Sequence, residues 1–236
     1  MKILELEHGR VRITERDKLC AEFVVEQGFA TIEQLWKVAW SDQKNSSYTY
    51  NRVLSLEKFG FLKSVKINDT TMKIVTSTPK ARIITAESSA YPTPIQGVSK
   101  DLVHHQLHLN ELRILFQEKG LKDWRSAECL AVDPTFRKLG SRHVPDAFYI
   151  SSRGIRTAIE YDRTIRKKDR IKERLSLYLA ELMSPDRNID RLIYLVAPAY
   201  LKTYQQIFDQ NFESVRGMFV FTTLDEFKKQ ITGVSQ

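Results

Sequence analysis

Three acids are spaced as a divalent-metal site on paired strands requires. Pro145-Asp146 falls in one strand-like run, His143 to Ile150, and Glu160-Tyr161-Asp162 closes the next, Ile155 to Tyr161. Side chains alternate along a strand, so Glu160 and Asp162 are expected on one side. Asp146 on a neighbouring strand then brings a third carboxylate beside them. Convergent carboxylates repel one another unless a cation or proton intervenes. Oxygen ligands of this kind suit Mg2+ or Mn2+, and such an ion activates water and stabilises charge developing at a phosphate. The candidate catalytic residues are Asp146, Glu160 and Asp162. The candidate metal ligands are Asp146, Glu160 and, from the run Arg125 to Ala131, Glu128. A plainer arrangement uses the same residues: Asp162 pairs with Arg163 or Arg166 or caps the helix that follows, and Glu160 is a buried acid paired with a base.

A basic segment follows these acids. Between Arg163 and Arg174 there are seven basic residues (Arg163, Arg166, Lys167, Lys168, Arg170, Lys172, Arg174) against Asp169 and Glu173. It reads either as a solvated face with local ion pairs or as a surface that tracks phosphates, with Arg163, Lys167 and Lys168 as contacts. His104 and His108 lie four apart on a helix with Glu111 near, a zinc-compatible spacing without the HExxH glutamate. Trp36, Trp40 and Trp124 read as core or interface.

The elements that hold these groups follow from apolar spacing. Thr14 caps a first helix, with Leu19, Phe23 and Val24 on one face and Gly28 at its end. A second helix from Thr31 turns Ile32, Leu35, Trp36 and Ala39 inward. Lys44-Asn45-Ser46-Ser47 makes a turn into a third helix, with Tyr50, Val53 and Leu56 inward and Glu57 at the edge. Phe59-Gly60-Phe61-Leu62 stops it and opens a strand to Ile67, which Met72 to Val75 rejoin across a tight turn at Asn68-Asp69-Thr70. Residues 98–119 form a long helix. Beyond it come three strands, the basic helix, a buried strand Leu192 to Val196, a helix at 199–210 and a last strand Met218 to Phe221. That order, α-β-β-β-α-β, implies a mixed sheet with helices on both faces. Residues 87–97, with two prolines and a glycine, read as a linker between a domain 1–86 and a domain 98–236.

The chain has 236 residues, 42% hydrophobic and 28% charged, with net charge +8. It is long enough for one large or two small domains and apolar enough to exclude wholesale disorder. No apolar run approaches the ~20 residues that span a bilayer. The opening Met1 to Glu7 carries acids where a secretory signal needs apolar residues. Cys20 and Cys129 are too few for a disulfide framework. These features predict a cytoplasmic chain without a membrane partner. Residues 1–86 carry 14 basic and 10 acidic side chains, and residues 98–236 carry 23 and 18. Both parts are basic, which favours a polyanionic partner.

Three helices followed by a two-stranded hairpin, with Arg52-Val53-Leu54-Ser55-Leu56-Glu57-Lys58-Phe59-Gly60-Phe61-Leu62 leading into the wing, resemble a winged helix-turn-helix. The resemblance implies that the third helix enters a major groove of double-stranded DNA, presenting Lys44, Asn45, Ser47, Tyr48, Thr49, Asn51 and Arg52, while Lys66, Asn68 and Lys73 hold phosphates. Asn and Arg read adenine and guanine bidentately. Arg52→Ala is therefore expected to weaken specific binding and leave folding intact. Homodimeric binding to a palindromic site is expected of such a fold.

The C-terminal part resembles the PD-(D/E)xK nuclease fold, whose core has the same α-β-β-β-α-β order. Asp146 and Glu160 match its two acids, but its lysine position holds Asp162. Most of the chain is similar to the replication-relaxation family of plasmid and mobile-element proteins, on Pro145-Asp146-Ala147-Phe148, Glu160-Tyr161-Asp162-Arg163-Thr164 and the basic helix ending at Tyr178. That family joins a winged helix to a nuclease-like domain. The resemblance implies a sequence-specific DNA-binding protein controlling transcription, replication or mobilisation of a mobile element, its nuclease-like domain lacking full catalytic machinery. The alternatives are a metal-dependent endonuclease using Asp146 and Glu160, and an adaptor whose basic surface meets acidic protein partners.

Overall fold

The computed structural model describes residues 2–6, 9–67, 72–85, 100–120, 123–134, 136 and 144–233. The predicted linker 87–97, His143 and the wing residue Asn68 lie outside these. The chain is mixed α/β and divides into two compact units, Met1–Ile114 and Leu115–Gln236. The predicted boundary stood at residues 87–97. The first unit instead extends into a long helix.

The first unit opens with a hairpin absent from the sequence reading, β1 (Lys2–Leu6) antiparallel to β2 (Gly9–Ile13). Val11 and Ile13 enter the core while Arg10 and Arg12 stay exposed, the alternation of a half-buried strand. Helix α1 (Glu15–Gln27) starts at a capping box in which Thr14 and Asp17 each bond the other's backbone N–H. Its inward face is Cys20, Phe23 and Val24; Leu19, expected inward, is 44% exposed. β3 (Phe29–Ala30) and α2 (Ile32–Ala39) follow, α2 with its own capping box from Thr31 and Gln34.

Helix α3 (Ser47–Lys58) buries Thr49, Val53 and Leu56. Tyr50, expected inward, is 47% exposed, so the inward stripe begins one residue earlier. Gly60, at φ +75°, ends the helix in a backbone region costly for residues with a Cβ. β4 (Leu62–Lys66) and β5 (Lys73–Ser77) return as an antiparallel hairpin, and β3 adds to β5 to give the order β3-β5-β4. Within this unit the early turns of α4 (Lys100–Glu118) bring Val103 and Leu107 into a cluster with Phe29, Ile67 and Ile74. Buried amides fasten them: Gln34 Nε2 donates to the Leu107 carbonyl at 2.8 Å and Asn110 Nδ2 to the Phe29 carbonyl at 2.7 Å.

The second unit centres on a five-stranded sheet of order β10-β9-β8-β7-β6. β6 (Arg125–Ser126) is short; a helix, α5 (Ala127–Val132), occupies most of the run expected as a strand, because Ser126 caps it through the Cys129 N–H. β7 (Ala147–Ile150) pairs antiparallel with β6 and with β8 (Arg156–Asp162), whereas β9 (Arg191–Val196) and β10 (Phe219–Thr222) continue parallel to β8. The connections between parallel strands are helical, as such pairs require: α6 (Lys168–Met183) before β9 and α7 (Leu201–Phe212) before β10. A final helix, α8 (Leu224–Thr232), went unread although Thr223-x-x-Glu226 is a capping-box signature. Trp40 and Trp124 are buried, as expected for core aromatics. No helix among the described residues is long and apolar enough to cross a membrane.

Candidate functional site

Two sets of predicted functional residues meet different fates. The first lies on α3. With Thr49, Val53 and Leu56 inward, the helical period turns Ser47, Tyr50, Asn51, Leu54 and Lys58 outward, with Tyr48 beside them. Tyr48, Tyr50 and Leu54 are 54%, 47% and 44% exposed. Asn51 and Lys58 are exposed and their side chains bond to none of the described residues. Asn45 is exposed and works locally: its Oδ1 accepts from the Ser47 N–H at 3.0 Å, a turn that starts the helix where Ser46 offers no side-chain cap. Lys44 is exposed beside it.

Two residues expected at base edges are elsewhere. Thr49 is fully buried, so it contacts the core and no groove. Arg52 is turned against α1. Its Nε donates to Asp17 Oδ1 at 2.7 Å, and its Nη2 donates to Asp17 Oδ2 and to the Arg12 carbonyl, both at 2.6 Å. Asp17 is fully buried and at the same time closes the α1 capping box. The hydrogen bond that Arg52 donates to Asp17 outweighs burial and raises the Arg52 pKa, so the charge is held firmly. Removing one partner of such a pair strands the other, so Arg52→Ala is expected to act on folding. That reverses the sequence expectation. The periodicity that buries residue 49 also sets Arg52 at the helix edge, but its partner 35 residues away left no local signal.

The hairpin after α3 carries the predicted phosphate ligands Lys66 and Lys73, both exposed and directly opposite one another in register. Lys63 is exposed on the same strand. Like charges opposite one another destabilise a strand pair. Glu57, at the helix edge as expected, accepts from the Ser64 N–H and ties α3 to β4.

The second set surrounds β8. Glu160 and Asp162 do share a side, as the strand period predicts: Arg174 Nη1 lies 2.7 Å from Glu160 Oε2 and 3.7 Å from Asp162 Oδ1. Asp146, one residue before β7, joins from the neighbouring strand through its Oδ2, which accepts from the Tyr161 N–H at 2.8 Å. Both oxygens of Glu160 and of Asp162 are engaged by the protein. Tyr178 O–H donates to Glu160 Oε1. Asp162 Oδ1 accepts from Arg166 Nε at 2.6 Å, and its Oδ2 accepts from the hydroxyls of Tyr194 at 2.8 Å and Tyr204 at 2.9 Å. Glu160 and Asp162 are buried, at 0% and 3% exposure.

The electrostatics follow. Burial, then Glu160, raises the Tyr178 pKa well above its ordinary value; burial, then Asp162, does the same for Tyr194 and Tyr204. Burial opposes the charge on Arg174, but Glu160, Tyr194 and Asp162 outweigh it and raise its pKa. Glu160 and Asp162 therefore each have cationic and phenolic donors in place of an ion, and Asp146 has the Tyr161 N–H. This donor set does not fit a divalent cation, whose carboxylate ligands need unengaged oxygens. Among the described residues no group of three or more His, Cys, Asp and Glu side chains is placed to hold a metal, His104, His108 and Glu111 included. Glu128 sits on α5 instead of on a strand.

The missed residues are Arg174, Tyr178, Tyr194 and Tyr204. The signal was present for two of them. Ile171, Leu175, Tyr178 and Leu182 form the buried stripe of α6, and Arg174 lies one turn before Tyr178 at its edge. Both reach β8 from that helix. Of the basic segment, Arg166 and Arg174 thus face the acids and Arg170 pairs with Glu173 at 3.1 Å. Lys167, Lys168 and Lys172 are exposed and their side chains bond to none of the described residues, and Arg163 is half-buried.

Comparisons with protein-family models, curated proteins and solved structures found no match.

Proposed function

We propose that this chain binds double-stranded DNA in a sequence-dependent way, with α3 in the major groove and the β4–β5 hairpin along the phosphates. The observation that carries this reading is the register that sets Lys66 opposite Lys73 on the hairpin entered directly from α3. A pair of facing lysines weakens a free hairpin and is relieved when a polyanion lies across it. The uncommitted outer face of α3 supplies the groove-facing element in the helix–helix–helix–hairpin order of a winged helix. The net charge of +8 points the same way.

From α4, most of which belongs to the first unit, the order continues β6, α5, β7, β8, α6, β9; apart from the inserted α5, that order and the position of Asp146 and Glu160 support a nuclease-like fold. The engagement of their oxygens by Arg174, Tyr178 and the Tyr161 N–H supports a fold kept without metal catalysis. In the second unit, Lys167, Lys168 and Lys172 supply phosphate contacts of their own that carry no sequence information. By resemblance to the replication-relaxation proteins, the process served is transcription, replication or mobilisation of a mobile element, and a homodimer on a palindromic site is the expected assembly.

The test is binding of the full chain to a random duplex library at several salt concentrations, with intact supercoiled plasmid incubated in parallel with Mg2+, Mn2+ or EDTA. Enrichment of a motif, an affinity that falls steeply with salt, and an unnicked plasmid are expected. Lys66→Glu with Lys73→Glu should reduce the slope of log affinity against log salt by about 2, one condensed counterion per phosphate contact. Absence of duplex binding at low salt would discard the reading. Metal-dependent nicking lost in Asp146→Ala would replace it with an endonuclease.

A further inference from the structure

Which base pairs the outer face of α3 selects is also set by its composition. The residue best suited to guanine, Arg52, is held by Asp17 and the Arg12 carbonyl, with both Nε and Nη2 engaged. The remaining outward groups are of another kind. Asn51 carries a carboxamide that bonds to none of the described residues, and Leu54, one turn on, is 44% exposed. Tyr50, at 47% exposure, flanks them, and Ser47 is exposed one turn before Asn51.

A carboxamide pairs bidentately with adenine N7 and N6, while an apolar side chain packs on the thymine methyl group; guanine O6 and N7 are met best by arginine or lysine. Residues 51 and 54 are three apart, so they are neighbours on the helix surface and reach adjacent base steps. Building on the major-groove reading above, we infer that α3 selects A·T pairs, with Asn51 on adenine and Leu54 on the methyl of a neighbouring thymine. The lysines on either side, Lys44 before the helix and Lys58 at its end, are flexible point charges suited to phosphates.

The experiment uses the full chain and the motif enriched from a random duplex library. A·T pairs are expected at the positions that α3 protects. Asn51→Ala should lower discrimination of adenine over guanine at one position by roughly 5- to 150-fold, the range of a bidentate contact, and leave other positions unchanged. Replacing thymine by deoxyuridine removes the methyl alone; it should weaken the parent protein and leave Leu54→Ala indifferent. Both residues are exposed, so the unfolding midpoint of each variant serves as the control for folding. Failure to bind any duplex would sink the groove reading and this inference together. A motif of G·C pairs under α3, or an Asn51→Ala variant weakened equally on every sequence, would sink this inference alone and leave DNA binding standing.

Discussion

On α3, Ser47, Tyr50, Asn51, Leu54 and Lys58 leave the helix toward solvent, and their side chains bond to none of the described residues. On β8, Glu160 and Asp162 point inward, and their oxygens are met by two arginines and three tyrosines. Both regions carry residue types associated with function. The difference is whether the protein itself completes the bonding of those residues. A side chain whose donors and acceptors are satisfied internally acts on stability, because the fold loses it only by stranding a buried partner. A side chain with no internal partner acts on whatever arrives from solution. Arg52 belongs with the β8 acids although it sits on α3.

The contrast is broken or sharpened most strongly at Arg174. Arg174→Met should leave Glu160 buried and unpaired, and lower stability by about 3–5 kcal/mol. Urea denaturation would read it, and a loss below about 1 kcal/mol would mean the cluster is wetter than the geometry implies. Arg52→Ala should follow at about 2–4 kcal/mol, smaller because the guanidinium is partly exposed and Asp17 keeps its Thr14 contacts. An unchanged midpoint with altered base preference would return Arg52 to the face proposed for base contact.

The phenols offer a spectroscopic test. Tyr178, Tyr194 and Tyr204 have raised pKa values in the folded protein, so their neutral form contributes stability that is fully present below the ordinary pKa of 10 and is lost as pH rises beyond it. Absorbance at the phenolate band should therefore rise in two stages, with these tyrosines ionising only as the fold opens. Smooth titration of all nine tyrosines near their ordinary value, with the circular dichroism unchanged, would contradict the buried network. A smaller effect concerns metal: millimolar Mn2+ should leave the unfolding midpoint unmoved, since an ion that bound only the folded state would raise it. The smallest effect is at Asn51, whose change to alanine should alter stability by less than about 0.5 kcal/mol. Equality of the Asn51 and Arg52 variants in denaturant would erase the distinction altogether.

Local signals explain what the sequence disclosed. Capping by Thr14, the apolar stripe of α6 and the buried run Leu192 to Val196 are short-range patterns, and each marks the element the fold contains. The strand period also predicted that Glu160 and Asp162 share a side. Pairings over long separations were hidden. Asp17 and Arg52 are 35 residues apart, and Tyr204 reaches Asp162 across 42. Register by one residue was ambiguous where Thr49 and Tyr50 are neighbours, since an aromatic beside a threonine suggests the wrong inward face. The hairpin β1–β2 was missed because its strands are five residues each and alternate with charges. The acids of β8 looked like metal ligands because nothing in a linear reading says that Tyr194 on β9 would lie against them; yet a tyrosine inside a buried strand does require a partner for its hydroxyl.

Fastening α3 through Arg52 has a consequence for how such a protein can diversify. If α3 enters DNA as proposed, the contacts that keep the helix in place and those that would choose a sequence lie on different residues, so substitutions at 47, 50, 51 and 54 would alter one property and spare the other. On that proposal, variants of these four positions on an unchanged framework would form a library of altered specificities. Substitution of Arg52 or Asp17 would have no comparable use, since every member would inherit the same weakened scaffold.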